Sequence, residues 1–412
     1  MKNFFEFVFK RPILVLLFVI FVFSILFCAI RPSQSTNHAI LRAVGIDKIG
    51  NEYEVSILSF ASSSTQNFSE NYTLTSAKGN SITEALELAG DYLGKTIALA
   101  HLSTIIVNIE ASENITETLD LFAREHVVNN STNIICTNTT AKEFLEKTLP
   151  LESEDSSNES NIVAHNAKFI TGFESNIESI YESAYKPSRT TFVSYLKLAD
   201  EGVSLSGENK SVSADSSGGS GNSTGGQKNE DKKLENDGSV IVLVNGKNAG
   251  ILESEDVKNL CWGTSNTKNC KINLQNYNDE NLIDATVVLV CEGRRVKKEA
   301  YFDGDTPCVK FSLIMQMDIV EILQKDVAIE TYIPKTLYMN DKMRRDIKEK
   351  IKSDFIASFE KIKDLNADPF NFYEMLEKKD KNKFKNYIYS LDNKEDYMKG
   401  INVVMEINLR KN

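Results

Sequence analysis

Hydrophobic positions follow three different rhythms along this chain. The first is unbroken. Residues 13–30 (ILVLLFVIFVFSILFCAI) carry no charge, and only Ser24 interrupts them. An 18-residue helix is roughly 27 Å long, about the thickness of a bilayer's hydrocarbon core. Lys2, Lys10 and Arg11 precede the run, and only Arg31 follows closely. That asymmetry keeps the N-terminal side in the cytoplasm and places nearly all the rest of the chain outside. The expected organisation is a cytoplasmic tail over 1–12 and a retained anchor over 13–30. A cleaved secretory signal is the first alternative, disfavoured by the length of the run and the lack of an Ala-x-Ala-like cleavage site. Lipid attachment at Cys28 is the second, although Phe27 stands where a small residue is wanted.

The second rhythm is alternation or short apolar bursts, which predict strands. Residues 39–47 (AILRAVGID) and 53–60 (YEVSILSF) flank Gly50-Asn51 and read as a hairpin. Strands are also expected at 72–76, 133–137 and 190–198, with a buried one held within 98–109, and after the linker at 239–244, 249–252, 282–291, 309–318 and 400–409. The pair 239–244 and 249–252 turns at Asn245-Gly246.

The third rhythm is helical. Ser81 with Glu84, and Thr140 with Glu143, have capping-box spacing. They open helices carrying Ile82, Ala85, Leu86 and Ala89, and Phe144 and Leu145. Further helices are expected over 115–128, 169–184 and 253–260. The longest, 340–365, has Met343, Ile347, Ile351, Phe355, Phe359 and Ile362 at spacings of four and three, a stripe for packing on a sheet. Asp368-Pro369 stops it, and 370–376 and 383–389 read as short helices.

Between the ordered stretches, residues 151–161 (LESEDSSNESN) are acidic and serine-rich and read as a mobile loop. Residues 207–238 are almost all Ser, Gly, Asn, Lys, Glu and Asp. Such a stretch buries too little apolar surface to offset the entropy of ordering it. The expected division is therefore an α/β region over 35–201, a flexible linker over 202–238 and a second α/β region over 239–412. The fold class is α/β (α+β): an N-terminal transmembrane anchor followed by two to three mixed-sheet domains with packed helices.

Composition narrows the function. The net charge is -11 with no basic block or aromatic-basic stripe, so nucleic acid is excluded as a partner. The four histidines, His38, His101, His126 and His165, lack metal-ligand spacing, and no cofactor is implied. Gly221-Asn222-Ser223-Thr224-Gly225 matches the nucleophile-elbow pattern, but no strand precedes it and no helix follows. The acidic pair Glu152 and Asp155 sits in the loop, without the fixed separation acid–base chemistry needs. Beyond Cys28, the chain has Cys136, Cys261, Cys270, Cys291 and Cys308. Cys261 with Cys270, and Cys291 with Cys308, are possible disulfides; buried reduced thiols are the equal alternative.

Several of these stretches resemble the Ger(x)C family, the C subunits of spore germinant receptors. They are Arg42-Ala43-Val44-Gly45-Ile46-Asp47-Lys48 followed by Tyr53-Glu54-Val55, and Gly79-Asn80-Ser81-Ile82 with Glu84-Ala85-Leu86. Leu99-Ala100-His101 leading into 105–109, and Ala249-Gly250-Ile251-Leu252 with Glu253-Ser254-Glu255 and Trp262, are similar to the family's middle segments. Asp368-Pro369-Phe370-Asn371-Phe372 and the closing strand resemble its C-terminal pattern. The resemblance implies a non-enzymatic, membrane-attached subunit on the outer face of the spore inner membrane. Its partners would be a multi-spanning transporter-like receptor subunit and a large membrane receptor subunit, in a complex that responds to a nutrient germinant; whether this subunit touches the nutrient directly or only through its partners stays open. The family usually carries a lipid on a good lipobox cysteine, a pattern Cys28 departs from. It brings no catalytic residues. The rival readings are a membrane-anchored envelope scaffold unrelated to germination and, less favoured, an anchored exterior hydrolase.

Overall fold

The computed structural model describes residues 38–60, 72–154, 175–199, 233–235, 238–264, 270–279, 282–324 and 339–410, with Ile20, Phe21 and Phe23. The expected anchor over 13–30 otherwise lies outside the described residues, as do Cys28, His165 and the Gly221–Gly225 pattern. No helix among the described residues is long and apolar enough to cross a membrane.

The chain opens with β1 (His38–Ile49), β2 (Glu52–Phe60) and β3 (Tyr72–Gly79), an antiparallel meander. Helix α1 (Ile82–Leu93) follows. Ser81 Oγ accepts from Glu84 N at 3.1 Å as expected, but the Glu84 carboxylate accepts from Asn80 N at 2.8 Å, one residue before the cap. Next come β4 (Thr96–Ala98), a 3₁₀ turn at Leu99–His101 and β5 (Thr104–Asn108). The apolar run 98–109 thus holds the buried strand expected within it, β5, behind a 3₁₀ turn. The helix expected over 115–128 is two short pieces. They follow α2 (Ile109–Ser112) and are α3 (Ile115–Thr118) and α4 (Asp120–Arg124). Then come β6 (Asn133–Thr137), α5 (Ala141–Glu154), α6 (Ile177–Tyr185) and β7 (Thr190–Ala199). Helix α5 takes in 151–154, the start of the expected loop.

Strands β1, β5, β6 and β7 pair in parallel at the centre of the first sheet. Parallel strands need cover on both faces. Every residue of β5 is buried accordingly. One face packs under α1 through Ala85, Leu86 and Ala89, and under Phe122 and Ile180. The other packs under Ala141, Phe144 and Leu145 of α5. The start of α5 is fixed by Asp47 on β1, whose buried carboxylate accepts from Ala141 N at 2.6 Å and Lys142 N at 3.2 Å. An anion at a helix N-terminus meets unpaired N–H groups and the positive end of the dipole.

The sheet does not end with the first region. Strand β8 (Lys233–Glu235), inside the expected linker, pairs with β7. Strands β9 (Val240–Val244) and β10 (Lys247–Leu252) add antiparallel beyond β7. The order across the sheet is β10-β9-β7-β6-β5-β1-β2-β3. The opening hairpin of the 239–412 segment therefore belongs to the first sheet.

Helix α7 (Ser254–Leu260) and a 3₁₀ turn at Cys261–Gly263 lead to the second sheet. Its strands are β11 (Lys271–Tyr277), β12 (Ala285–Asp303), β13 (Thr306–Gln324) and, after three helices, β14 (Asn402–Leu409). Strands β12 and β13 form one hairpin of 19 residues each, far longer than the expected 282–291 and 309–318. Helices α8 (Asp341–Asp364), α9 (Phe372–Lys379) and α10 (Lys381–Ser390) cover one face. All six stripe residues of α8 are buried, none more than 1% exposed. Phe192, Val240, Val242 and Leu252 of the first sheet join this second core, so the two cores meet.

Candidate functional site at the seam between the sheets

The sequence Asp368-Pro369-Phe370-Asn371-Phe372 lies where the second sheet's helices meet the first sheet. Proline stops continuation of α8, and the turn that follows must start α9 within a few residues. Asp368 does this work. Its Oδ1 accepts from Phe372 N at 2.8 Å and its Oδ2 from Tyr373 N at 2.9 Å. Tyr397 donates its hydroxyl to the same Oδ2 at 2.9 Å. Asp368 is 1% exposed, and that burial pushes its pKa up despite the hydrogen bonds.

The same turn grips the first sheet. Asp368 N donates to Thr190 Oγ1 at 2.8 Å, and Ser188 Oγ donates to Asn371 Oδ1 at 3.0 Å. Thr190 begins β7, the strand that connects the parallel centre to the β9–β10 hairpin. Arg189 NH1 reaches Glu395 at 3.8 Å, an exposed pair that contributes little. On the β10 side, Gly250 has φ +151°, a conformation that favours glycine, and a Cβ there would lie 2.7 Å from Leu365 Cδ2.

Beneath the turn lies an aromatic cluster of Phe311, Phe355, Phe359, Phe370 and Phe372, with ring centroids 5.1–6.3 Å apart in the touching pairs. Gly263 backs onto it. A Cβ at Gly263 would come within 2.8 Å of Phe370 and 2.9 Å of Phe355. Lys298 Nζ on β12 donates to Phe370 O at 3.2 Å and sits 5.5 Å from the Phe370 ring centroid. A second clip, Asp256 on α7, accepts from Ser358 Oγ at 2.9 Å and Lys361 Nζ at 2.7 Å on α8.

This arrangement couples two sheets mechanically. Among the described residues no group of three or more His, Cys, Asp or Glu side chains is placed to hold a metal. An open depression on the first region is lined by Asn114, Thr116, Glu117, Asp120 and Tyr181. There Tyr181 donates its hydroxyl to Thr116 O at 2.7 Å, and burial pushes its pKa up to about 12.

The histidines are scattered. His38 begins β1, His101 is exposed on the 3₁₀ turn and His126 is exposed beyond α4. Cys136, Cys261, Cys270, Cys291 and Cys308 are all thiols. The Cys291–Cys308 pairing is ruled out by register. Cys291 lies opposite Met317 and Cys308 opposite Tyr301. At about 3.4 Å per residue the two are roughly 30 Å apart along the hairpin. Cys261 and Cys270 are not joined either; Cys270 faces Cys291 across β11 and β12, with Cys291 N donating to Cys270 O at 2.9 Å.

Two family models account for the chain. One, described as the spore germination protein N-terminal domain, matches residues 33–198. The other, described as spore germination B3/GerAC like, C-terminal, matches residues 237–410. The chain belongs to the Ger(x)C family of spore germinant-receptor C subunits. A solved structure titled as the crystal structure of the GerBC protein is similar to this Ger(x)C chain at 9% identity. The match covers 89% of this chain and 96% of that one, with a TM-score of 0.47. No curated protein matches by sequence. In this Ger(x)C chain the C-terminal match begins just ahead of β9, so it includes the hairpin that completes the first sheet.

Proposed function

We propose that this chain is a membrane-attached, non-enzymatic subunit of a spore germinant receptor that works by docking against its partner subunits. Membership of the germinant-receptor C-subunit family implies a role in spore germination. The finer reading has the apolar run 13–30, or a lipid on Cys28, hold the chain on the outer face of the spore inner membrane. Its two sheets then meet a multi-spanning transporter-like subunit and a large membrane subunit, and its contact with the nutrient is indirect.

The observation that carries this reading is the pair of family matches spanning both ordered regions. The seam supports it, because buried hydrogen bonds and packed rings there join the sheets into one body able to pass a push from one surface to another. Deleting the gene and following nutrient-triggered loss of spore refractility tests the role. Germination should fail for at least one nutrient. Unchanged germination, in a strain without a sister receptor, would refute it. Detergent extraction of spore membranes, followed by affinity capture of this chain, should recover two larger membrane proteins.

A further inference from the structure

One thiol pair stands apart from the seam. Cys270 immediately precedes β11, and its carbonyl accepts from Cys291 N at 2.9 Å, which carries the β11–β12 register one pair beyond Lys271 opposite Val290. Directly opposed, hydrogen-bonded residues in an antiparallel ladder have Cα atoms about 5.5 Å apart. That separation lies within the range a disulfide spans, about 4.4–6.8 Å. Both side chains point to the same face. Cys291 alternates with Ala285, Val287 and Leu289, all buried, and Cys270 with Ile272 and Leu274, also buried. Cys291 is 5% exposed, whereas Cys270 is only partly buried.

A cation completes the group. Arg294 NH1 lies 3.1 Å from Cys270 Sγ, and the guanidinium sits 5.6 Å from the Trp262 ring centroid. Residues 291 and 294 would face opposite sides of a regular strand. The register slips between Cys291 and Gly293, and this bulge returns Arg294 to the cysteine face. Burial raises the pKa of Cys291, and Arg294 partly offsets the rise. The partly exposed cysteine beside a cation is thus Cys270, and the shielded one is Cys291.

We propose that Cys270 and Cys291 form a redox-active dithiol that a low-molecular-weight disulfide converts to a cross-strand disulfide. Cys270 gives its proton to solvent, and its thiolate attacks one sulfur of the incoming disulfide, whose S–S bond breaks and releases one thiolate, which takes up a proton. Cys291 then gives its proton to solvent and attacks Cys270 Sγ. The mixed disulfide breaks, and the second thiolate leaves and takes up a proton. The two cysteines lose two electrons and two protons; the small disulfide gains them as two thiols. The bond ties the edge strand β11 to β12. This inference does not depend on the germination reading.

The experiment uses the full chain in detergent with glutathione disulfide at about pH 8. Remaining thiols are alkylated under native conditions, the protein is digested with trypsin, and the cysteine peptides are mapped by mass spectrometry. The expected product joins the peptide carrying Cys270 to the peptide carrying Cys291. Cys291→Ser should instead trap glutathione on Cys270. Arg294→Gln should slow closure about tenfold, the loss of one weak charge-assisted hydrogen bond. A bond between Cys270 and Cys261, a wild-type mixed disulfide that never resolves, or recovery of both cysteines fully alkylated would overturn the proposal. An unchanged rate in Arg294→Gln would overturn the part given to Arg294.

Discussion

Replacing Asp368 by alanine removes one carboxylate and leaves three donors, Phe372 N, Tyr373 N and the Tyr397 hydroxyl, without their acceptor. Losing a helix cap costs about 1–2 kcal/mol. Stranding a buried hydroxyl costs about 1–3 kcal/mol more. Opposing this, alanine relieves the burial of a charge, the effect that raises the pKa of Asp368. The net expectation is a loss of about 2–3 kcal/mol, a large share of the 5–15 kcal/mol typical of a folded protein. Urea unfolding read by fluorescence measures it. Trp262 is the chain's single tryptophan, is 4% exposed, and adjoins Gly263, which touches the aromatic cluster. The pH dependence has a definite sign. Asp368 has its pKa raised from an ordinary 3.8, so between that value and the raised one the folded state binds more proton than the unfolded. Its contribution to stability is therefore full below the ordinary value and declines as pH rises through the window. The cost of alanine should shrink correspondingly as the pH is raised from about 4 towards neutrality. Tyr397→Phe alone should cost about 1.5 kcal/mol, and the double variant should show coupling of similar size. A coupling indistinguishable from zero, or a cost of alanine that grows with pH, would refute the reasoning.

Other substitutions separate the forces at the seam. Phe359→Ala should lower stability by about 3–5 kcal/mol in the same unfolding assay, since Phe359 is fully buried and stacks on Phe355 at 6.2 Å. At the α7–α8 clip, Asp256→Ala should cost more than Lys361→Ala in paired urea titrations. Asp256 is 6% exposed and its loss leaves the buried Ser358 hydroxyl, which still accepts from Asn259 Nδ2, with no acceptor for its own proton, whereas the Lys361 side chain is 59% exposed and water replaces its partner. The order would reverse only if the ion pair outweighed the buried hydrogen bond.

How much of this was legible in the sequence follows from where each signal is local. The stripe of α8 repeats along one helix, so its buried residues can be read without knowing what they touch. Strands β1, β2, β6, β7 and β9 are equally plain, being short β-branched runs next to turn residues. Of the β12–β13 hairpin, 282–291 and 309–318 were legible, the base of β12 and the turn-side half of β13. Beyond Cys291 the sequence Glu292-Gly293-Arg294-Arg295-Val296-Lys297-Lys298-Glu299 offers Val296 as its one apolar side chain, because that part of the strand is mostly exposed to solvent. Within 98–109 the buried strand was legible but its start was not: an apolar 3₁₀ turn and an apolar strand have the same composition. Asp368-Pro369 was readable as a helix stop. Its cap and its grip on the first sheet were not, because Tyr397 lies 29 residues away and Thr190 lies 178. Family likeness pointed to the same five residues without giving their physical role. Cys270 and Cys291 escaped pairing by sequence because β11, with only Ile272, Leu274 and Tyr277 turned inward, left too faint an alternation to set the register.

The expected linker separates the chain into two regions by composition, yet the first sheet crosses it. Strand β9 contributes Val240, Ile241, Val242 and Leu243, none more than 1% exposed. At about 1.5–3 kcal/mol for each buried aliphatic side chain, these four stabilise the fold by roughly 6–12 kcal/mol as an upper estimate. That is comparable to the whole stability of an ordinary protein. Without β9 the region 35–201 would bare Phe192, Val193 and Tyr195 and leave the β7 ladder from Thr190 to Ser194 unpaired. The second core would lose Val240, Val242 and Leu252 if β9 and β10 stayed behind. The two regions should consequently behave as one folding body. A protease site placed at Gly218-Gly219 tests this directly. After cleavage the two fragments should still elute together in gel filtration and unfold in a single urea transition. Elution as two separately folded species would mean that β9 is dispensable to the first sheet, and would remove the physical basis for treating the seam as a rigid coupling.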